Sequence, residues 1–177
     1  MIAKGRFPLQ DCRKSREGGF SLVELMVAVT VLALLMGIGI PTFRDVSLGS
    51  RLSAAANDLL ASIQLARSEA IKRNLTVTVC ASSDGATCAA GGGWEQGWIV
   101  VDSGAILIQR QAALPAGFVM SQAGGVDPLR FEPIGIGSTA ATVTVCRDDP
   151  PGRQERVLNV SAAGTARVTT TTSGTCS

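Results

Sequence analysis

The sequence contains no histidine. That absence removes the commonest general base, the usual partner of a nucleophile and the usual zinc ligand, so hydrolase and metalloenzyme chemistry lacks its main instrument. Phosphate-cradling motifs are missing as well. No Walker-type Gly-Lys-Ser run occurs, and Gly135-Ile136-Gly137 lacks the third glycine and the following helix of a dinucleotide site. The cysteines never fall in CxxC spacing, which with the missing histidines argues against zinc. Serine and aspartate are abundant, but a nucleophile without a base is only a polar surface residue. The chain is therefore expected to be no enzyme and to need no cofactor or metal. Charge is also sparse, at 17% of residues, and mean hydropathy is positive at +0.29, which excludes a disordered tail or a collagen-like repeat. The length, 177 residues, suits one ordinary domain.

What charge there is lies unevenly. The total is +2, but residues 1–19 carry Lys4, Arg6, Arg13, Lys14 and Arg16 against Asp11 and Glu17, a net +3, so the rest of the chain sums to −1. A body so near neutrality has no global electrostatic footprint for nucleic acid, and any such contact must be local. Behind the basic stretch comes Phe20 to Ile40, FSLVELMVAVTVLALLMGIGI, with Glu24 as its only charge. At about 1.5 Å per residue such a helix is roughly 30 Å long, the thickness of a hydrocarbon core. The basic flank places the N-terminus in the cytoplasm and the body outside it. The apolar run is too long for an ordinary secretory signal and no small-residue cleavage site follows it, so the segment is expected to remain attached. Glu24 needs a reason, because a carboxylate at the centre of an apolar span costs about 2.5–3.5 kcal/mol and less near its end.

Gly18-Gly19-Phe20-Ser21-Leu22-Val23-Glu24-Leu25 resembles the processing motif of type IV pilins and type II secretion pseudopilins, in which a prepilin peptidase cuts after the glycine and methylates the new N-terminus. The resemblance implies cleavage between Gly19 and Phe20, making Glu24 the fifth residue of the mature chain and Pro41 the twenty-second, both in keeping with the family's pattern. Physical reasoning supports a role for the acid. Phe20 and Glu24 are four residues apart, so one helical turn brings the carboxylate to the side of the freed amine. Pairing with the amine of a neighbouring subunit would remove two exposed charges and set the axial register of packed helices. The bland alternative is a carboxylate favoured by the positive end of its own helix. Gly37, Gly39 and Pro41 each lower helix stability, so a weak point is expected there; the resemblance suggests partial unwinding in assembled filaments.

Beyond Pro41, Leu52, Ala56, Leu59, Ile63, Ala66 and Ala70 recur at intervals of three and four, marking one face of an amphipathic helix that suits packing on a sheet. From Leu75 onward the period changes. Strands are expected at Leu75–Ala81, Trp98–Asp102, Ala105–Gln109, Gly117–Ser121, Leu129–Glu132, Thr142–Arg147, Arg156–Ser161 and Thr165–Thr170. Asp84-Gly85, Gly91-Gly92-Gly93, Ser103-Gly104 and Pro150-Pro151-Gly152 punctuate them as turns, which favours antiparallel neighbours. Asn74-Leu75-Thr76 and Asn159-Val160-Ser161 match a glycosylation triplet at chance frequency and are assigned no role.

Ala66-Arg67-Ser68-Glu69-Ala70-Ile71-Lys72-Arg73-Asn74, Val77-Thr78-Val79-Cys80 and the W..GW run from Trp94 to Asp102 are similar to the helix end, first strand and tryptophan motif of the GspH/FimT-like group of minor pilins and pseudopilins. The fold class expected is α+β, type IV pilin-like: a long N-terminal helix, its first half transmembrane, packed on a small antiparallel β-sandwich head. The expected division is 1–19 leader peptide, 20–47 transmembrane and assembly half of the helix, and 48–177 periplasmic head, helical to about residue 73 and β-rich beyond. Cys12 lies in the leader, leaving Cys80, Cys88, Cys146 and Cys176, an even set with three possible pairings in an oxidising compartment. Cys80 with Cys88 and Cys146 with Cys176 is the favoured arrangement.

The function these features imply is a structural minor pilin of a type IV pilus, initiating assembly or sitting at the filament tip. Its expected partners are prepilin peptidase, other minor pilins or pseudopilins and the inner membrane. Two apparent disulfides and the FimT/FimU-like wording of the sequence lean toward the pilus over the alternative, a protein H-like minor pseudopilin of type II secretion. A further alternative is DNA capture in natural transformation. Some FimT-like pilins bind DNA through a C-terminal GRxR motif, and Gly164-Thr165-Ala166-Arg167 occupies the matching place, with Arg167 as the candidate contact. Thr165 stands where the first arginine would be, which removes a phosphate contact, and Asp148, Asp149 and Glu155 offset Arg147, Arg153 and Arg156 nearby. Arg167 otherwise reads as an exposed charge that keeps an edge strand from aggregating.

Overall fold

Apolar residues spaced by three and four from Leu52 to Ala70 become one continuous buried stripe of a helix, α1, which runs from Leu22 to Arg73. The computed structural model describes residues 21–125, 128–135, 140–148 and 154–173, and within α1 it describes residues 38–45 by their backbone only. The chain packs as two units, Met1–Phe43 and Arg44–Ser177. In the first, the helical backbone passes through Gly37 and Gly39 and on to Pro41 without a break, so the expected weak point is no interruption of the single chain.

In the second unit every position expected on the helix face is buried, and Ala55 and Ser62 join them. Alanine at four of the stripe positions lets other backbone come close. The helix ends at Asn74, whose φ of 54° is the left-handed conformation asparagine tolerates better than most residues. The Leu75 amide then donates to the Ala70 carbonyl at 3.3 Å, the closing bond of a Schellman cap. Lys72 and Arg73 reach back to Glu69, and Arg73 also meets Asp102 at 3.4 Å.

Among the described residues eight strands follow: β1 Val77–Ala81, β2 Trp98–Asp102, β3 Leu107–Gln111, β4 Phe118–Gln122, β5 Leu129–Phe131, β6 Ala141–Arg147, β7 Glu155–Val160 and β8 Ala166–Thr171. All the expected strands form, with ends moved for visible reasons. Leu75 belongs to the helix cap rather than to β1. Ala105 takes φ 60° in a turn and the Ile106 amide donates to the Asp102 carboxylate, so β3 starts at Leu107. The strands form two four-stranded antiparallel sheets, in the orders β3-β2-β1-β5 and β4-β6-β7-β8. The helix stripe, Val77, Val79, Trp98, Val100 and Phe131 of the first sheet, and Met120, Val143, Val145, Leu158 and Val160 of the second share one hydrophobic core. Each such side chain contributes roughly 1.5–3 kcal/mol by leaving water. The Pro150-Pro151-Gly152 turn lies outside the described residues.

Candidate functional site

Gly19 and Phe20, the expected processing position, lie outside the described residues, as does the side chain of Pro41. Glu24 is exposed in the first turn of α1 and is the only charged residue of its unit among the described side chains. Leu25, Ala28, Val29 and Leu32 line an open apolar hollow at helical spacing beside it. Leu22, Val23, Leu34 and Leu35 are also exposed, so the segment offers apolar surface all round. Among the described residues no helix is long and apolar enough to cross a membrane. The expected span, Phe20 to Ile40, begins and ends in residues whose side chains are not described.

The W..GW run is a clasp inside the head. Trp94 starts a one-turn 3-10 helix, Trp94–Gln96, and Trp98 starts β2; both indoles are fully buried. The Trp98 Nε1–H donates to Ser62 Oγ of α1 at 2.9 Å, and that hydroxyl donates in turn to the Asp58 carbonyl at 2.9 Å. The Trp94 Nε1–H donates to Gln122 Oε1 on β4 at 2.9 Å, while the Glu95 carboxylate accepts the Met120 amide at 3.3 Å. Between the indoles, Gly97 has φ 102°, and a Cβ there would sit 2.6 Å from the Gln111 carbonyl oxygen. Helix, first sheet and second sheet thus meet at one short run. Sequence reading did not single out Ser62, although a polar residue seven after Ala55 and three after Leu59 falls on the apolar face.

Cys80 and Cys88 form a disulfide with Cα atoms 5.5 Å apart, closing the loop after β1. Inside it the Asp84 carboxylate accepts the Thr87 and Ala86 amides at 2.8 Å, the Thr87 hydroxyl at 2.7 Å and the Ser82 hydroxyl at 2.9 Å. These bonds, the Thr87 amide foremost, hold the acid well below the usual carboxylate range. Cys146 is disulfide-bonded as well. Cys176, its expected partner, lies outside the described residues.

Gly164 and Thr165 end the turn into β8, which starts at Ala166. The Gly164 amide donates to the Ser161 carbonyl and the Ser161 amide to the Thr165 carbonyl, at 2.9 and 2.8 Å. The turn faces Gln64, Arg67, Ser68 and Ile71 of α1 across a shallow groove, and Arg67 Nη1 donates to the Gly164 carbonyl at 3.4 Å. Arg167 is exposed on β8, an edge strand, opposite Asn159 of β7. Glu155 is buried and accepts the Thr171 and Ser173 hydroxyls, and Arg156 donates from Nε to Ser53 Oγ of α1 at 3.0 Å. Arg153 and Asp149 lie outside the described residues. Among the described residues no cluster of side chains is suited to a metal ion.

Comparison with known proteins accords with this architecture. The family model for type II transport protein GspH matches residues 55–164, and the prokaryotic N-terminal methylation motif matches residues 14–40. That motif implies processing by prepilin peptidase. No curated protein sequence matches the chain. Among solved structures it is similar to the type IV minor pilin FimU of Pseudomonas aeruginosa, at 25% identity over 68% of this chain and 89% of that one, with a TM-score of 0.54. It shares a fold with the minor pseudopilin EpsH from the type 2 secretion system of Vibrio cholerae, at 14% identity over 67% of this chain and 96% of that one, with a TM-score of 0.51. The GspH match starts on the buried stripe of α1, crosses both indoles of the clasp and ends at the Arg67-bound turn, so the chain belongs to the GspH family.

Proposed function

We propose that the protein is a structural minor pilin of a type IV pilus. In this reading prepilin peptidase cleaves between Gly19 and Phe20 and methylates Phe20. The apolar half of α1 then holds the chain in the inner membrane as a single pass, N-terminus in the cytoplasm and head in the periplasm, until assembly at or near the filament tip. The observation that carries the reading is the methylation motif over residues 14–40, which takes in the start of an exposed apolar helix with one acid, Glu24. Buried against the helices of neighbouring subunits, that acid has the freed amine as its natural partner. The likeness to FimU supports the pilus.

The family description supports a second reading, a minor pseudopilin of type II secretion. Deleting the gene separates the two: loss of surface filaments with secretion intact supports the pilus, and retained secretory proteins with normal pili support the pseudopilus. DNA capture through Arg167 is a third reading, supported by that residue's exposure on an edge strand. Salt-dependent DNA retardation by the purified chain, lost in Arg167→Gln, tests it.

A further inference from the structure

Among the described residues the two sheets have four edges, and the edges are not equally closed. β5 is only three residues long. β3 pairs with β2 through a register shift between Val100 and Val101, an irregularity that spoils an edge as a template. β4 is occupied along its outer side: the Phe118 amide donates to the Pro115 carbonyl, the Met120 amide to the Glu95 carboxylate, and the Gln122 carbonyl accepts the Gly125 amide.

β8 is different. It pairs with β7 in unbroken register over all six of its residues. The Ser161 amide bonds the Thr165 carbonyl, so the antiparallel alternation turns the backbone groups of Arg167, Thr169 and Thr171 toward β7 and those of Ala166, Val168 and Thr170 outward. Among the described residues these outward groups have no hydrogen-bond partner. The strand has no proline or bulge, and Arg167 is its one charge. Neither Arg167 nor Arg67, at the turn that opens the strand, forms an ion pair with any described residue.

We propose that β8 is a strand-acceptor edge. It takes up an extended segment of a neighbouring filament subunit, bonded to the backbone of Ala166, Val168 and Thr170 and carrying an acidic side chain toward Arg167. Backbone pairing supplies the affinity and the acid fixes register and partner. The proposal rests on the reading of this chain as a filament subunit and names one of its contacts.

Thr170→Pro in the full chain tests it. The Thr170 amide faces away from β7 and its side chain is exposed, so proline there leaves the fold's own ladder intact while removing an outward donor. Thr170→Ala keeps the amide and serves as the control. The readout is the amount of processed chain in filaments sheared from cells. The expected result is about a tenfold drop for Thr170→Pro with Thr170→Ala at the wild-type level. Equal incorporation of both variants overturns strand addition. If Thr170→Pro does not fold, residue-resolved hydrogen exchange of the wild-type chain decides: protection of the Ala166, Val168 and Thr170 amides on assembly supports the proposal, and unchanged exchange overturns it. Loss of incorporation in Arg167→Gln but not in Thr170→Pro also overturns it, leaving a charge contact in which DNA is one candidate. A purified chain that forms dimers dissolved by Thr170→Pro would assign the edge to a second copy and overturn the proposal too. Absence of even the wild-type chain from filaments would instead overturn the underlying functional reading.

Discussion

The Trp98 indole donates to the Ser62 hydroxyl at 2.9 Å across 36 residues of sequence, with both side chains fully buried. The same hydroxyl donates to the Asp58 carbonyl, so one oxygen satisfies an indole and closes a local helix bond. Ser62→Ala leaves a buried N–H without a partner, and the expected loss is about 1–3 kcal/mol in chemical unfolding of the head. Ser62→Thr keeps the hydroxyl but adds a methyl group to a filled site, so it should also destabilise, through crowding.

Gly97 is required for a different reason. Alanine there meets the Gln111 carbonyl oxygen at 2.6 Å and must also adopt φ 102°. Gly97→Ala should push β2 away from β3 and lower the melting temperature. Gly91→Ala, with open space around its Cβ, should leave the melting temperature nearly unchanged.

The Asp84 loop predicts an acid limb in the stability profile. Its carboxyl is depressed by native hydrogen bonds from the ordinary value of 3.8. The stabilisation is therefore complete above that value and is lost as the pH falls through the lower folded value. Melting temperatures of wild type and Asp84→Asn should differ at neutral pH and converge as the medium becomes strongly acidic. Reducing the Cys80–Cys88 bond should lower both curves, because the loop loses its covalent closure.

Glu24→Gln tests the assembly role of the helix. Cleavage after Gly19, read by the intact mass of the membrane-extracted chain, should proceed as in wild type. Incorporation into filaments should fall about tenfold or more, because the amine of the neighbouring subunit loses its counter-charge in apolar surroundings. Normal incorporation would assign Glu24 to its own helix dipole instead.

Periodicity made most of the fold legible. Leu52 through Ala70 follows from spacings of three and four, and β6 from a spacing of two, because burial of one face is what those patterns encode, while β2, buried at Trp98, Ile99 and Val100 in succession, reads as a short apolar run. Strand ends were less legible, since Leu75 and Ala105 answer to a helix cap and a left-handed turn rather than to hydropathy. The pairing of β1 with β5 and of β4 with β6 joins strands distant in the chain, and no local spacing announces it. The roles of Ser62 and of Arg67 at the Gly164 turn are illegible for a similar reason: each acts on a residue far along the chain, Trp98 for one and Gly164 for the other. Arg167, by contrast, lies in the strand expected over Thr165–Thr170, and the sheet order makes that strand an edge.

The indole clasp also bears on mechanics. A subunit gripped by its helix and pulled by its head carries tension from α1 into β2 near the Ser62–Trp98 bond. The force there runs across interlocked side chains of the stripe and the sheet, so many contacts must slip together before any one opens. A load on the head is thereby shared along the whole stripe rather than resting on the single indole bond.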